Sequence, residues 1–220
     1  MINFHPTHEQ IRSFAEGTSS SAEALMISAH CDMCPRCMER VRSASATMAN
    51  EAFAAIDDDP KLTDMLSAIL SQPTTEIETV SRKMPDSIEL DGRSFKLPRA
   101  LQRYASKTGN WSSLVGKLWQ APVDLGDLGV AHFIYMEKGG RVPEHTHRGS
   151  EMTLVINGEF SDGLSHYDSG DFISLTGEHT HAPISDADEG CLVFSIVDKP
   201  LHFTSGLARL LNPFSHLFFK

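Results

Sequence analysis

The first seventy residues hold a single glycine, Gly17, and no apolar run anywhere approaches the roughly 18 residues that cross a bilayer. A helical membrane anchor is therefore not expected. Basic residues are scarce too: 19 Lys and Arg stand against 29 Asp and Glu, a formal charge of −10 over 220 residues. Nucleic-acid binding asks for a basic face. Direct contact with DNA or RNA is not expected, and a partner would be a protein with a basic surface. The start, Met1-Ile2-Asn3-Phe4-His5-Pro6, lacks a charged segment leading into an apolar one. No secretory signal is read there, and the expected location is cytoplasmic. There are four cysteines, three of them clustered at Cys31, Cys34 and Cys37. That is no disulfide framework for a chain of this size, and in a reducing compartment it reads as a metal or redox site. With 40% apolar and 22% charged residues, the composition is that of a globular protein of one to two domains.

The two ends of the chain are patterned differently. Thr7 followed by Gln10 forms a capping box, and Gly17 is a helix stop. Ser19 to Ser21 offer N-caps for a second helix that carries Ala22, Leu25, Met26 and Ala29 on one face. Pro35 suits the first turn of a third helix to about Ile56. Asp59-Pro60 opens a fourth, with Leu62, Met65, Leu66, Ile69 and Leu70 at helical spacing. Four helices in about 70 residues make a thin core, and domains this small usually need a staple. Residues 71–84, SQPTTEIETVSRKM, read as a linker. Beyond them the period changes to two. Val130 to Met136, Met152 to Ile156, Phe172 to Leu175 and Cys191 to Val197 are expected strands, with Asn157-Gly158 as a hairpin turn and Asp168-Ser169-Gly170 as another. The expected fold is thus multi-domain, α then β: a helical domain over 1–70, the linker, and a β-sandwich or jelly-roll barrel over 85–220.

His30-x3-Cys34-x2-Cys37 places three soft ligands at a helix junction, and imidazole with thiolate is the donor set zinc prefers. A closed structural site needs a fourth ligand, for which His5, His8 and Cys31 are candidates. Cys31-x2-Cys34-x2-Cys37 also echoes a ferredoxin run, but the remaining cysteine, Cys191, lies far along the chain. HPTHEQIRSFAEGT and AHCDMCPRC resemble the zinc-binding domain of ChrR-type anti-sigma factors. The resemblance implies a zinc held by His5, His30, Cys34 and Cys37, with Cys31 outside the motif.

A second cluster is longer. In Gly139-x5-His145-x-His147-x3-Glu151-x6-Gly158, His145 and His147 are two apart on a strand and share a face. This resembles the first motif of the cupin superfamily, a jelly-roll architecture. Gly170 and His181 stand eleven apart, as in the second cupin motif, although Thr176 and Glu178 occupy positions where that motif has proline and glycine. His179 is the rival of His181 as ligand. Three His and one Glu can hold Zn, Fe, Mn or Ni, and a cupin that keeps these residues without metal is the plain alternative. His132, His166, His202 and His216 are assigned no role.

The resemblance to ChrR-type proteins continues through VPEHTHRGSEMTLVINGEF and Pro200-Leu201-His202-Phe203, and so covers nearly the whole chain. It implies a cytoplasmic zinc anti-sigma factor that sequesters an extracytoplasmic-function sigma factor and releases it under singlet oxygen or peroxide stress. The helices would bind sigma and the cupin domain would sense. Residues 1–85 carry seven basic and twelve acidic side chains, which suits a basic partner surface. Met26, Met38, Met48 and Met65 would supply adaptable contact area or core packing. The free chain could form a homodimer. The competing reading is a mononuclear metal cupin dioxygenase of the diketone-cleaving type, in which the N-terminal cluster has no task. A ligand-binding regulator that touches DNA fits the charge least. The linker is expected to keep the two clusters independent.

Overall fold

The computed structural model describes residues 1–54, 60–73, 84–114, 117–126, 130–147, 149–177, 179–199, 201–204, 206, 209 and 212. The N-terminal part is helical and local sequence accounts for its boundaries. Helix α1 (His8–Glu16) opens on the capping box, with Thr7 accepting the Gln10 amide and Gln10 accepting the Thr7 amide. It ends at Gly17 in the left-handed region, φ 70°. Helix α2 (Ser21–Met33) is capped by the Ser20 hydroxyl, and α3 (Pro35–Phe53) starts on Pro35. Helix α4 spans Pro60–Leu70. Ile56, Asp59 and residues 74–83 of the expected linker lie outside the described residues.

The rest is mostly β. A hairpin of β1 (Ser87–Leu90) and β2 (Arg93–Lys96) is followed by a short helix, α5 (Arg99–Ala105). Then come β3 (Ser112–Leu114), β4 (Leu118–Val123), β5 (Val130–Met136), β6 (Gly140–Arg141), β7 (His145–His147) and β8 (Glu151–Ser161). The chain continues with β9 (His166–Asp168), β10 (Phe172–Leu175), β11 (Thr180–His181), β12 (Ile184–Ser185), β13 (Cys191–Val197) and β14 (Leu201–Phe203). The main sheet runs β3-β4-β5-β13-β8-β12-β6, with β9 and β10 also on β8, and a three-stranded sheet is ordered β11-β7-β14. Every pairing is antiparallel. The expected jelly-roll-type half is present as a curled, cupin-like half-barrel.

One expectation is corrected. Asn157-Gly158 is not a hairpin turn, because β8 runs through it without a break to Ser161. The pairing of β13 with β8 instead slips between Leu192 and Val193, a bulge that leaves Ile156 without a partner two residues before Gly158, which sits at φ 80°. A Cβ there would run into the carbonyl of Gly190. Glycine is required for the close approach of two backbones, which sequence cannot distinguish from a turn.

The largest core joins both halves of the chain. Leu25, Met26 and Ala29 of α2 pack in one cluster with Leu101 and Tyr104 of α5 and with Phe133, Leu154 and Phe194 of the sheet. Helix α2 thus covers a sheet face, which is why it is apolar around much of its circumference. Helix α4 behaves oppositely. Leu62, Met65, Leu66, Ile69 and Leu70, the apolar residues at helical spacing, are 49–75% exposed.

Candidate metal centres

His5, His30, Cys34 and Cys37 converge, with all four ligand atoms within 4.8 Å of one another. His30 is the last-turn histidine of α2, Cys34 is the shared cap of α2 and α3, and Cys37 lies in the first turn of α3. His5 comes from the extended segment before α1 and closes the set. His5 Nδ1 lies 3.3 Å from His30 Nε2, 3.6 Å from Cys34 Sγ and 3.4 Å from Cys37 Sγ. A tetrahedral zinc with Zn–N of about 2.0 Å and Zn–S of about 2.3 Å separates two nitrogens by about 3.3 Å, and nitrogen from sulfur by about 3.5 Å. The donor set fits a zinc-sized cation. Burial lowers His30 to about 4, keeping it neutral and ligand-competent. Burial also pushes the Cys37 thiol to about 11, with Cys34 adding to the effect and Arg40 and Arg36 opposing it. A thiolate there needs a cation beside it, as a metal would provide.

Cys31 is buried with Ile11 and Ile27 beside this centre but stays outside the converging set, its thiol pushed by burial to about 12. His8, the other alternative to His5, is exposed on α1.

The second centre is built on strands. His145 and His147 alternate on β7 and are both buried. His181 on β11 pairs with His145 directly across the sheet, and Glu151 opens β8. His181 Nε2 lies 2.9 Å from His145 Nε2 and 3.1 Å from His147 Nε2, while Glu151 Oε2 is 2.8 Å from His147 Nε2. His145 Nδ1–H donates to the Pro143 carbonyl at 2.8 Å, which leaves a lone pair on Nε2. Thr153 and Ser195 hydroxyls donate to Glu151 Oε1 at 3.0 and 2.9 Å. That fixes the carboxylate and leaves Oε2 buried and turned toward His147. Three imidazole nitrogens and one carboxylate oxygen crowded without an adequate supply of protons suit a divalent cation, with outer partners already in place. Burial lowers His145 to about 4. Burial alone would raise Glu151, yet His147, His145 and His181 hold it at about 2. His179 is exposed and turns to Thr176 instead, and Glu178 lies outside the described residues. His132 is buried in the sheet, His166 is exposed, and His216 lies outside the described residues.

The two centres are not insulated by the linker, contrary to expectation. His30 Nδ1–H donates to the Gly170 carbonyl of the β9–β10 turn at 2.8 Å. The amides of Asn3 and Phe4 donate to Asp171 Oδ1 at 2.7 and 2.9 Å, and the Phe172 amide donates to the Phe4 carbonyl. A cleft of about 570 Å³ has His5 on one wall and His181 on another. Sequence reasoning missed Asp171, Thr153 and Ser195. The only signal was an Asp and two hydroxyl residues in strands, positions where such side chains must find partners.

Residues 105–199 match the ChrR cupin-like domain model. The chain is 28% identical over 220 residues to the anti-sigma-E factor ChrR of Cereibacter sphaeroides, covering 97% of this chain and 98% of that protein. A chain in the crystal structure of Rhodobacter sphaeroides SigE in complex with the anti-sigma ChrR superposes with a TM-score of 0.67 at 22% identity. That match covers 90% of this chain and all of the other. The chain is thus similar to the anti-sigma-E factor ChrR over nearly its whole length, and its residues 105–199 match the ChrR cupin-like domain.

Proposed function

We propose that the chain is an anti-sigma factor: its metal-stapled helices bind a sigma factor and keep it from core RNA polymerase, while the cupin half tunes release under oxidative stress. The observation that carries this reading is α4. A stripe of five large apolar side chains, from Leu62 at 49% to Leu70 at 75% exposure, sits on one helix of an otherwise well-buried protein. A contiguous exposed patch of that kind marks a protein interface, and at helical spacing it fits a groove-binding partner. The complex of ChrR with SigE supports a sigma factor as that partner. Residues His5, His30, Cys34 and Cys37 would hold zinc as a structural cation, and His145, His147, Glu151 and His181 a divalent metal. No catalytic step is assigned.

The test is co-expression with extracytoplasmic-function sigma factors of the same genome, followed by co-purification and a competition for core polymerase. The expected result is a stable complex that excludes sigma from polymerase. Leu66→Glu or Ile69→Glu should weaken it by more than about a hundredfold, without a matching loss of stability. A complex indifferent to both substitutions would remove α4 from the interface, and no complex at all would end the anti-sigma reading.

A further inference from the structure

The outer partners of the N-terminal donor set come from the opposite half of the chain. His30 has its Nδ1–H fixed by the Gly170 carbonyl, so Nε2 is the atom turned toward His5. His5 follows Asn3 and Phe4, whose amides are both received by one oxygen of Asp171. Asp171 is fully buried, and its other oxygen accepts the Asp168 amide at 2.8 Å, which holds the carboxylate in place. The Phe4 carbonyl takes the Phe172 amide, and the Phe4 ring packs against Tyr167 at a tilt of 51°, 4.7 Å between centroids. Gly170 has φ 94°, and a Cβ there would strike Ile2. Asp32, two residues past His30, reaches across to receive the Ala100 amide and the Arg99 guanidinium of α5, at 2.8 and 3.0 Å. Apart from the Asp168 bond, which is internal to the β9–β10 turn, these contacts tie segments that carry donors to the barrel or to α5.

We propose that the N-terminal metal centre is a composite site, in which Asp171 and the Gly170 carbonyl of the β9–β10 turn are positioning residues that set its metal affinity. The physical reason is preorganisation. His5 lies on seven residues of chain, 1–7, with no helix or strand of their own. Undocked, that segment samples many conformations, and fixing it costs backbone conformational entropy. The Asp171 carboxylate meets part of that cost before metal arrives. Outer-partner loss at metal sites typically lowers affinity 10–100-fold. Linkage is reciprocal, so metal at the N-terminal centre must also tighten the docking of α2 on the barrel. The proposal concerns this chain alone and stands or falls whether or not a sigma factor binds.

The experiment uses the full chain loaded with cobalt(II), which reports thiolate coordination by a charge-transfer band that the His and Glu centre cannot give. In Asp171→Asn the carboxamide nitrogen must face an amide donor, either that of Asp168 or those of Asn3 and Phe4. The exposed Asn3 is changed to proline, which removes one amide donor and leaves the barrel untouched. In both variants the thiolate-cobalt affinity should fall at least tenfold and its visible bands should shift, while the cobalt affinity of the His145 centre stays within twofold. Unchanged thiolate-cobalt affinity in Asn3→Pro, or in a folded Asp171→Asn, overturns the proposal. If Asp171→Asn loses both centres by unfolding, Asn3→Pro decides alone.

Discussion

Glu151 and Leu175 face each other across the β8–β10 pair. The four-residue strand that presents Leu175 begins at Phe172, hydrogen-bonded to Phe4 one residue before His5. A single short strand therefore has one candidate metal centre beside each end. Any variant at one centre has to be read at both, because β10 cannot shift along β8 without moving the partners of His5.

Cys34→Ser and Cys37→Ser should each abolish metal binding at the N-terminal centre, while Cys31→Ser should retain it. Structural zinc in small domains contributes on the order of 10 kcal/mol, and loss of one thiolate removes much of that. Cys31 is packed against Ile11 and Ile27, so its replacement by serine costs only packing and the burial of a hydroxyl, about 1–3 kcal/mol. Metal content per chain and thermal unfolding check this. Equal damage from Cys31→Ser and Cys34→Ser would mean the ligand set is wrong.

Glu151→Ala should strip the cupin centre of its one anionic ligand and leave the Thr153 and Ser195 hydroxyls without their acceptor. Metal affinity there should fall by about a hundredfold or more. Sigma binding should survive, with release under oxidant blunted. Full oxidant induction from a sigma-dependent promoter in this variant would take the cupin metal out of the signal path.

Metal-free protein should lose stability on acidification. Burial lowers His30, His132 and His145 to about 4 from 6.5. The unfolded chain therefore binds more protons between those values, and stability falls as pH drops from about 6.5 to about 4, then levels off for these groups. His132→Asn, far from both donor sets in sequence, should shrink the slope in that window. Denaturant midpoints at several pH values measure it, and a flat midpoint from pH 7 to 4.5 would contradict the burial of these rings.

Gly158→Ala should destabilise by about 3 kcal/mol or more. The position combines φ 80° with a carbonyl of Gly190 where the methyl must go, and such strain adds to overpacking. Gly163→Ala, also at positive φ but with open space around it, serves as the control and should cost about 1–2 kcal/mol. Similar costs at both glycines would mean that Gly158 tolerates a side chain.

The sequence by itself determined the pieces that depend on neighbours in the chain. The Thr7 cap, the Gly17 stop, the Pro35 start and the strand over Val130–Met136 follow from local hydrogen bonding and side-chain period. The two groups of His, Cys and Glu side chains that converge in the structure stood out in sequence because candidate metal ligands are particular residue types at short spacings. Tertiary structure decided what no local rule reaches. Whether Asn157-Gly158 turns or continues the strand depends on how near Gly190 comes. Whether an apolar helical stripe is core or surface depends on what stands opposite, so that α2 is buried on the sheet and α4 is left open with the same kind of pattern. The dependence of His5 and His30 on Gly170 and Asp171 arises across more than a hundred residues of chain. A backbone carbonyl and a buried carboxylate become partners of a metal centre only when folding brings them there, because hydrogen bonds have a reach of about 3 Å and sequence distance does not enter.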